Sequence, residues 1–536
     1  MIVQSNPRHN FLAFSAELDL SAATRQNANM NIRFLSRSHA LRGNALVRRS
    51  ASRIESGPHG TQSVRTWVPT RSVGTRIAIL CILALAAILR LGLIRAEFWF
   101  DEIWSLEFAR AASSPWQIFA GADQHHDNNH KLNTIFLWLY PAGTGWWWYR
   151  VHSFVAGLAT VLVAARTAAR RGPAEAIFAA LLFAVNYWLV LCSAEARGYA
   201  LAICFALLAF YALEGYLTHG GRRMLVLFWL SVMLGFCSHL TFLHTYLALG
   251  LWSVYDGARR RLGGRAELRR LLVCHAVPGL FFVLLYMVDL RWMQLGGAPP
   301  QPTSLVVGRL LSLGLGGPPS SAWTWPIIVI AVLVFAAGLR FLAREKQHLG
   351  VFFTAVVVGS PALFLLGKPA YLFERYFLIS WAFFLLLFAY VLGRLWRHST
   401  TGAFIAGFST LAITAGSITQ IAEFQRGGRG HFVEVLTYID QQSPGGTIHL
   451  CGDYDFRVEK FYTFYVPYVA APKRLHYDEQ NHLPAGGCAW LLVHRMDANH
   501  PPQPRMVDAN DNTYDYVQGF PAAAFGGWHW HVYRRQ

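Results

Sequence analysis

The chain runs to 536 residues, 54% hydrophobic and only 14% charged, which excludes an ordinary soluble domain built around a single core. Its formal net charge is +18, but the arginines fall in short clusters between apolar runs rather than along one face, so nucleic acid is not an expected partner. Runs of about 20 apolar residues, each long enough to cross a bilayer as a helix, point to a polytopic protein in contact with membrane lipids.

Residues 1–76 hold 11 Arg against Glu17, Asp19 and Glu55, with no periodic apolar pattern and no apolar leader, and read as a disordered basic cytoplasmic tail. A start codon placed too early, with initiation at Met30 or beyond, explains them equally well. Eleven spans follow in a membrane domain over 77–421: 77–95, 151–168, 174–193, 198–217, 223–240, 243–258, 269–288, 325–342, 350–367, 376–394 and 402–421. Arg166, Arg170 and Arg171, then Arg222 and Arg223, then the run from Arg259 to Arg270, and later Arg340, Arg344, Lys346, Arg394 and Arg397 lie in alternate loops. The positive-inside rule puts these loops and the N-terminus in the cytoplasm, and an odd number of spans puts the C-terminus outside.

The first outer loop, about 96–150, is long enough to be functional in its own right. Its stretches DEIWSLEFARAA and KLNTIFLWLY have helical spacing, and Trp146, Trp147, Trp148 and Tyr149 suit an aromatic belt beside the second span. Residues 422–536 read as a small α/β domain outside the membrane. HFVEVLTYIDQQ and FRVEKFYTFYV are expected as helices, TIHLCG and AWLLVHR as strands. Of seven cysteines only Cys451 and Cys488 fall in this domain, where an oxidising compartment would let them pair.

Most ionisable residues that the positive-inside rule does not explain gather on the outer side. EFWFDEIWS, residues 97–105, sets Asp101 and Glu102 among four large aromatic side chains, where a carboxylate persists if it is paired or used; the bland reading is a helix cap. DQHHDNNHKLNT, residues 123–134, offers Asp127, His130 and Lys131. With His125 and His126 it has ligands for a divalent metal but no standard spacing, so hydrogen bonding to a hydroxylated or phosphorylated substrate is expected instead of a cofactor. SAEARGYAL brings Glu195 and Arg197, which either pair with each other or leave Arg197 to bind an anion. LGKPAYLFERYF brings Lys368 and Arg375 to the same face. His239 and His244 read as structural.

In this order the motifs resemble the polyprenyl-phosphate-dependent membrane glycosyltransferases of the C-type fold, in particular protein O-mannosyltransferases and the lipid A aminoarabinose transferase. The motifs are an Asp-Glu pair after the first span, a second loop acid with Asn-His, S-x-E-x-R-x-Y-A-L after the third span, and a late R-Y-F. The resemblance spans about residues 77–395. It implies a bacterial inner-membrane enzyme with a periplasmic site, transferring a sugar with inversion from a polyprenyl-phosphate sugar donor to a lipid, glycan or protein acceptor. Asp101 would be the general base, with Glu102 and Asp127 completing the catalytic set; Arg197, Arg375, Lys131 and Lys368 would supply cations for the phosphate, with His130 and Glu195 at the substrate. Many relatives follow the second acid with His-Pro-Pro or Lys-Pro-Pro, whereas here Lys131, Leu132 and Asn133 follow His130. A secondary transporter and a non-catalytic scaffold are the rival readings.

Overall fold

All eleven apolar runs fold into helix in the computed structural model, which describes residues 71–536 except 120–127, 142, 295–300, 319–322, 346–347, 370, 485, 497–500, 509 and 524–526. The runs correspond to α1 (Arg71–Leu93), then, past three helices of the first loop, α2 (Phe100–Ala111), α3 (Pro115–Phe119) and α4 (Lys131–Leu139), to α5 (Val151–Ala169), the pair α6 (Pro173–Val185) and α7 (Tyr187–Ser193), α8 (Tyr199–His219), α9 (Arg222–Ser238), α10 (Phe242–Arg259) and α11 (Gly264–Val288). After α12 (Thr303–Gly314) come α13 (Thr324–Arg344), α14 (Gly350–Thr354) joined through a π-helical turn to α15 (Ser360–Leu366), α16 (Leu378–His398) and α17 (Thr400–Gly427). Residues 71–76, expected in the tail, open α1 instead.

Among the described residues seven helices are long and apolar enough to cross a membrane: α1, α5, α8, α11, α13, α16 and α17. The pair α6 and α7 makes an eighth if its two halves form one span. The remaining expected spans are helical but do not meet the same length and hydropathy. The architecture is that of a polytopic helical membrane protein. Helix α16 sits at its centre, almost wholly enclosed from Leu378 to Gly393 and packed on α6, α13 and α17, with its Phe383 against Phe352, which in turn stacks on Phe210. The outer helices turn Leu80, Ile88, Leu280, Leu333 and Phe404 outward, as expected where lipid replaces water.

The break between α6 and α7 bends the chain by 60° at Asn186 and leaves carbonyls unpaired in an apolar layer. Arg90 of α1, itself fully buried, donates to the carbonyls of Ala184 at 2.9 Å and Phe183 at 3.1 Å. Asn186 donates to the Gly314 carbonyl at 2.7 Å and accepts from the Trp381 indole at 3.1 Å. The bend is therefore fixed by side chains that satisfy the backbone it exposes.

The C-terminal part has α18 (Phe432–Gln442), β1 (Ile448–Gly452), α19 (Asp455–Tyr465), β2 (Leu475–Tyr477), β3 (Trp490–Arg495), β4 (Arg505–Val507), β5 (Thr513–Phe520) and β6 (His529–Arg535). The strands form one sheet in the order β2-β1-β3-β6-β5-β4, parallel from β2 to β3 and antiparallel beyond. The four elements read from the sequence are all present; the β5–β6 hairpin and the short edge strands are additions. Cys451 and Cys488 are buried in the same apolar cluster as free thiols.

This domain is not an appendage. Phe98, Ile103, Leu106, Leu137 and Tyr149 of the first loop share one core with Phe432, Val435, Phe461, Tyr465 and Trp530. Trp146, expected in an aromatic belt, packs against Tyr465 and Tyr468, while Trp147 and Trp148 stack on each other and stay exposed.

Candidate active site

Helix α2 begins at Phe100, and the carboxylate of Glu102 in its first turn reaches back to the Trp99 amide at 3.3 Å, closing the helix start. The same carboxylate, with no exposure to solvent, receives Arg150 Nε at 2.8 Å on one oxygen and Nη2 at 2.7 Å on the other, and the Ala196 amide at 2.6 Å. Arg150 further donates to the carbonyls of Ile94 at 2.8 Å, Glu97 at 3.0 Å and Ala96. The Arg150 guanidinium thus ties the segment 94–102 to the start of α5, and the Glu102 carboxylate ties it to the turn at 196. A buried charge needs this degree of pairing to persist.

Asp101 is one residue earlier, about 100° around the helix, and points elsewhere. Its carboxylate, 22% exposed, meets Arg375 at 2.9 Å and Arg197 at 3.6 Å. Arg197 is held by the Asp101 carbonyl at 3.0 Å and Ser105 Oγ at 2.7 Å. Arg375 lies over Trp99 at 4.9 Å and Phe373 at 4.4 Å, on the 3-10 turn that leads into α16. The Nε groups of both arginines are buried without a partner among the described residues. A carboxylate can accept a proton, and guanidiniums with spare donors can hold an anion beside it.

Of the expected site residues, then, Asp101, Arg197 and Arg375 come together, although they lie far apart in the chain. Asp127 lies outside the described residues, as do His125 and His126. The expectation for Glu102 is corrected: both its oxygens are occupied within the fold and none of it reaches a cleft, so its placement is that of a strut. Lys131 is corrected too. Its ammonium is buried against Asp289 at 2.6 Å, and burial lowers its pKa against the pull of that carboxylate, so it is not a cation open to phosphate. Glu195 does not pair with Arg197; it is buried against Arg429, and burial raises its carboxyl pKa while Arg429 opposes the rise. Lys368 is exposed in a left-handed conformation with φ 46°, on the loop before Arg375.

His130 is buried at the start of α4. Its Nδ1 donates to the Ser238 carbonyl at 3.2 Å, and its ring meets those of Tyr199 and His239 at 4.9 and 4.6 Å. Burial, and secondarily the nearby Arg197, hold its pKa well below 6.5. Sequence reasoning missed Arg429, which lies over Trp99 at 5.0 Å, and the indole of Trp99 itself; the stretch QRGGRGHF carried no signal that its second arginine returns to the first loop. Among the described residues no group of three or more His, Cys, Asp or Glu is placed to hold a metal ion.

No protein-family model matches the sequence, and no curated protein matches it. Among solved structures the chain is similar to ArnT from Cupriavidus metallidurans in the apo state, with 12% identity and a TM-score of 0.49 over 87% of this chain and 98% of that one. It is similar to the arabinofuranosyltransferase AftD from Mycobacteria, with 15% identity and a TM-score of 0.44 over 87% of this chain and 41% of that one. The protein O-mannosyltransferase Pmt1-Pmt2 complex of S. cerevisiae, bound to the sugar donor, gives 17% identity and a TM-score of 0.34 over 47% of this chain and 38% of that one.

Proposed function

We propose that the protein transfers a sugar from a polyprenyl-phosphate carrier to an acceptor hydroxyl, at the end of the helical bundle that carries α2 and the C-terminal domain. The observation that carries this reading is the contact of Asp101 with both Arg375 and Arg197. In the reaction the acceptor oxygen forms a bond to the anomeric carbon as the bond from that carbon to the phosphate oxygen breaks. The carboxylate of Asp101 takes the hydroxyl proton, and the electron pair of the broken bond leaves on the phosphate.

The phosphate changes from a singly charged diester to a doubly charged monoester, so cations beside it stabilise the transition state more than the bound donor. Arg375 and Arg197 are the groups assigned to that task. In the resting protein they hold Asp101; a donor phosphate competes for them and loosens the carboxylate toward the incoming hydroxyl. A single displacement inverts the anomeric centre. The proposal puts the site on the periplasmic side, a reading that the distribution of the basic loops supports through the positive-inside rule.

The test is transfer of label from radiolabelled polyprenyl-phosphate hexoses and pentoses in membranes containing wild type or Asp101→Asn. Transfer by wild type with a loss of about 10²- to 10⁴-fold in the variant is expected. Full activity of Asp101→Asn would remove it as the base; no transfer and no lipid binding by wild type would favour a transporter or scaffold.

A further inference from the structure

Beside the arginine pair lie two imidazoles that the reaction as derived does not use. His239 follows α9, and its Nδ1 accepts from the Thr241 amide at 3.0 Å, with the Thr241 hydroxyl 2.8 Å away. A nitrogen that accepts from a backbone N–H carries no proton, so the ring is neutral and its hydrogen is on Nε2. His130 is the complement: Nδ1 faces the Ser238 carbonyl, which can only accept, so the proton is on Nδ1 and Nε2 is a lone-pair acceptor. Both Nε2 atoms are buried without a hydrogen-bond partner among the described residues. An N–H donor and a nitrogen acceptor, on rings 4.6 Å apart, are therefore both unsatisfied, and leaving two such atoms unmade is costly.

The arrangement is built rather than incidental. Tyr199 packs on both rings, at 4.9 and 4.8 Å. Gly198 lets them approach, since a Cβ there would stand 2.0 Å from the Ser238 carbonyl oxygen and 2.6 Å from His130 Nδ1. The ring of His239 also meets that of Tyr376, next to Arg375, at 6.3 Å, and Gly198, against which His130 lies, follows Arg197 directly, so the pair lies beside the proposed phosphate site.

We propose that His239 and His130 recognise one hydroxyl of the transferred sugar, His239 Nε2–H donating to its oxygen and the hydroxyl donating to His130 Nε2. An alcohol is both donor and acceptor on one atom, which an apolar group, a carboxylate or an ammonium is not. The sugar is the source because it hangs from the phosphate that the neighbouring arginines hold. The inference rests on the proposed function and deepens it: the pair is a specificity determinant, selecting a sugar with a hydroxyl at one position.

The experiment measures binding of the full-length protein in detergent to polyprenyl phosphate, to a polyprenyl-phosphate hexose and pentose, and to their singly deoxygenated analogues, without acceptor. For wild type, one deoxy analogue is expected to bind about 10- to 100-fold more weakly than its parent, the others near parity. In His239→Phe that difference should vanish while affinity for plain polyprenyl phosphate stays; His239→Gln, which keeps an N–H donor, should restore part of it. If wild type shows no position-specific loss, or His239→Phe keeps it, the inference is overturned while the function stands. If wild type binds none of these lipids, the function itself fails and the inference with it. Where a variant does not fold, the deoxy series on wild type still overturns the inference if no position-specific loss appears.

Discussion

Glu97, four residues before Asp101, accepts backbone hydrogen bonds from Phe432 at 2.6 Å and from Val433 at 3.1 Å, so a carboxylate of the first loop caps a helix of the C-terminal domain. The amides at a helix start are unpaired and carry the positive end of its dipole, which makes a carboxylate their natural partner. Around this contact Tyr465 donates to the Phe98 carbonyl at 2.6 Å and Lys460 meets Glu107 at 2.7 Å. The domain grips both ends of the segment that presents Asp101. Glu97→Ala should therefore lower stability by about 1–2 kcal/mol, as loss of a helix cap does. It should also depress transfer without removing Asp101, read from the melting temperature and the turnover of one preparation.

The same residue sets a pH dependence. Burial raises the Glu97 carboxyl pKa above its ordinary 4.5, outweighing the backbone hydrogen bonds from Val433 and Phe432 that favour the anion. The folded state then holds a proton that the unfolded chain has lost. Stability from this group is present below pH 4.5 and falls as pH rises through the window up to the raised value. Melting curves across that window should fall more steeply for wild type than for Glu97→Gln; parallel curves would contradict the shift.

Adjacent acids should respond in opposite ways. Arg150→Met strands Glu102 as an unpaired buried charge and frees the carbonyls at 94, 96 and 97, so a loss of about 3–5 kcal/mol and a low yield of folded protein are expected. Asp101→Asn removes a partly exposed carboxylate from two arginines and should keep its yield while losing turnover. Size-exclusion profiles of the two variants beside the transfer assay separate strut from base.

Lys131 and Asp289 form a closed pair, 2% and 0% exposed. Lys131→Met alone leaves a buried carboxylate and should destabilise strongly, whereas Lys131→Met with Asp289→Leu should recover much of the loss. A melting temperature for the double variant no higher than for the single one would show that Lys131 serves something other than Asp289.

What the sequence revealed and what it hid follow from the range of the interactions. The apolar runs became helices because lipid-facing and enclosed spans share one local signal, and Asp101, Arg197 and Arg375 were visible as charges that the positive-inside rule did not explain. The different surroundings of Asp101 and Glu102 were not visible. They depend on Arg150, 48 residues on from Glu102, and on the Ala196 amide, 94 residues on. Lys131 looked available because its partner lies 158 residues away. The helices and central strands of the C-terminal domain carried clear periodicity, but its shared core with the first loop rests on Phe98, Ile103 and Leu106, apolar positions whose local pattern does not say what they pack against.

Arg375 separates binding from chemistry. Its guanidinium lies over Trp99 and Phe373 while meeting Asp101, so the planar group is positioned before any phosphate arrives. Because the phosphate gains a charge as it leaves, removal of this cation should cost more in the rate of transfer than in donor affinity. Arg375→Gln is expected to lower the single-turnover rate by about 10²- to 10³-fold with a smaller change in donor Kd. Arg375→Lys keeps the charge but loses the planar stack and should fall between the two. Equal losses in rate and affinity would instead mean that Arg375 holds donor and transition state alike, and would shift stabilisation of the departing phosphate to Arg197.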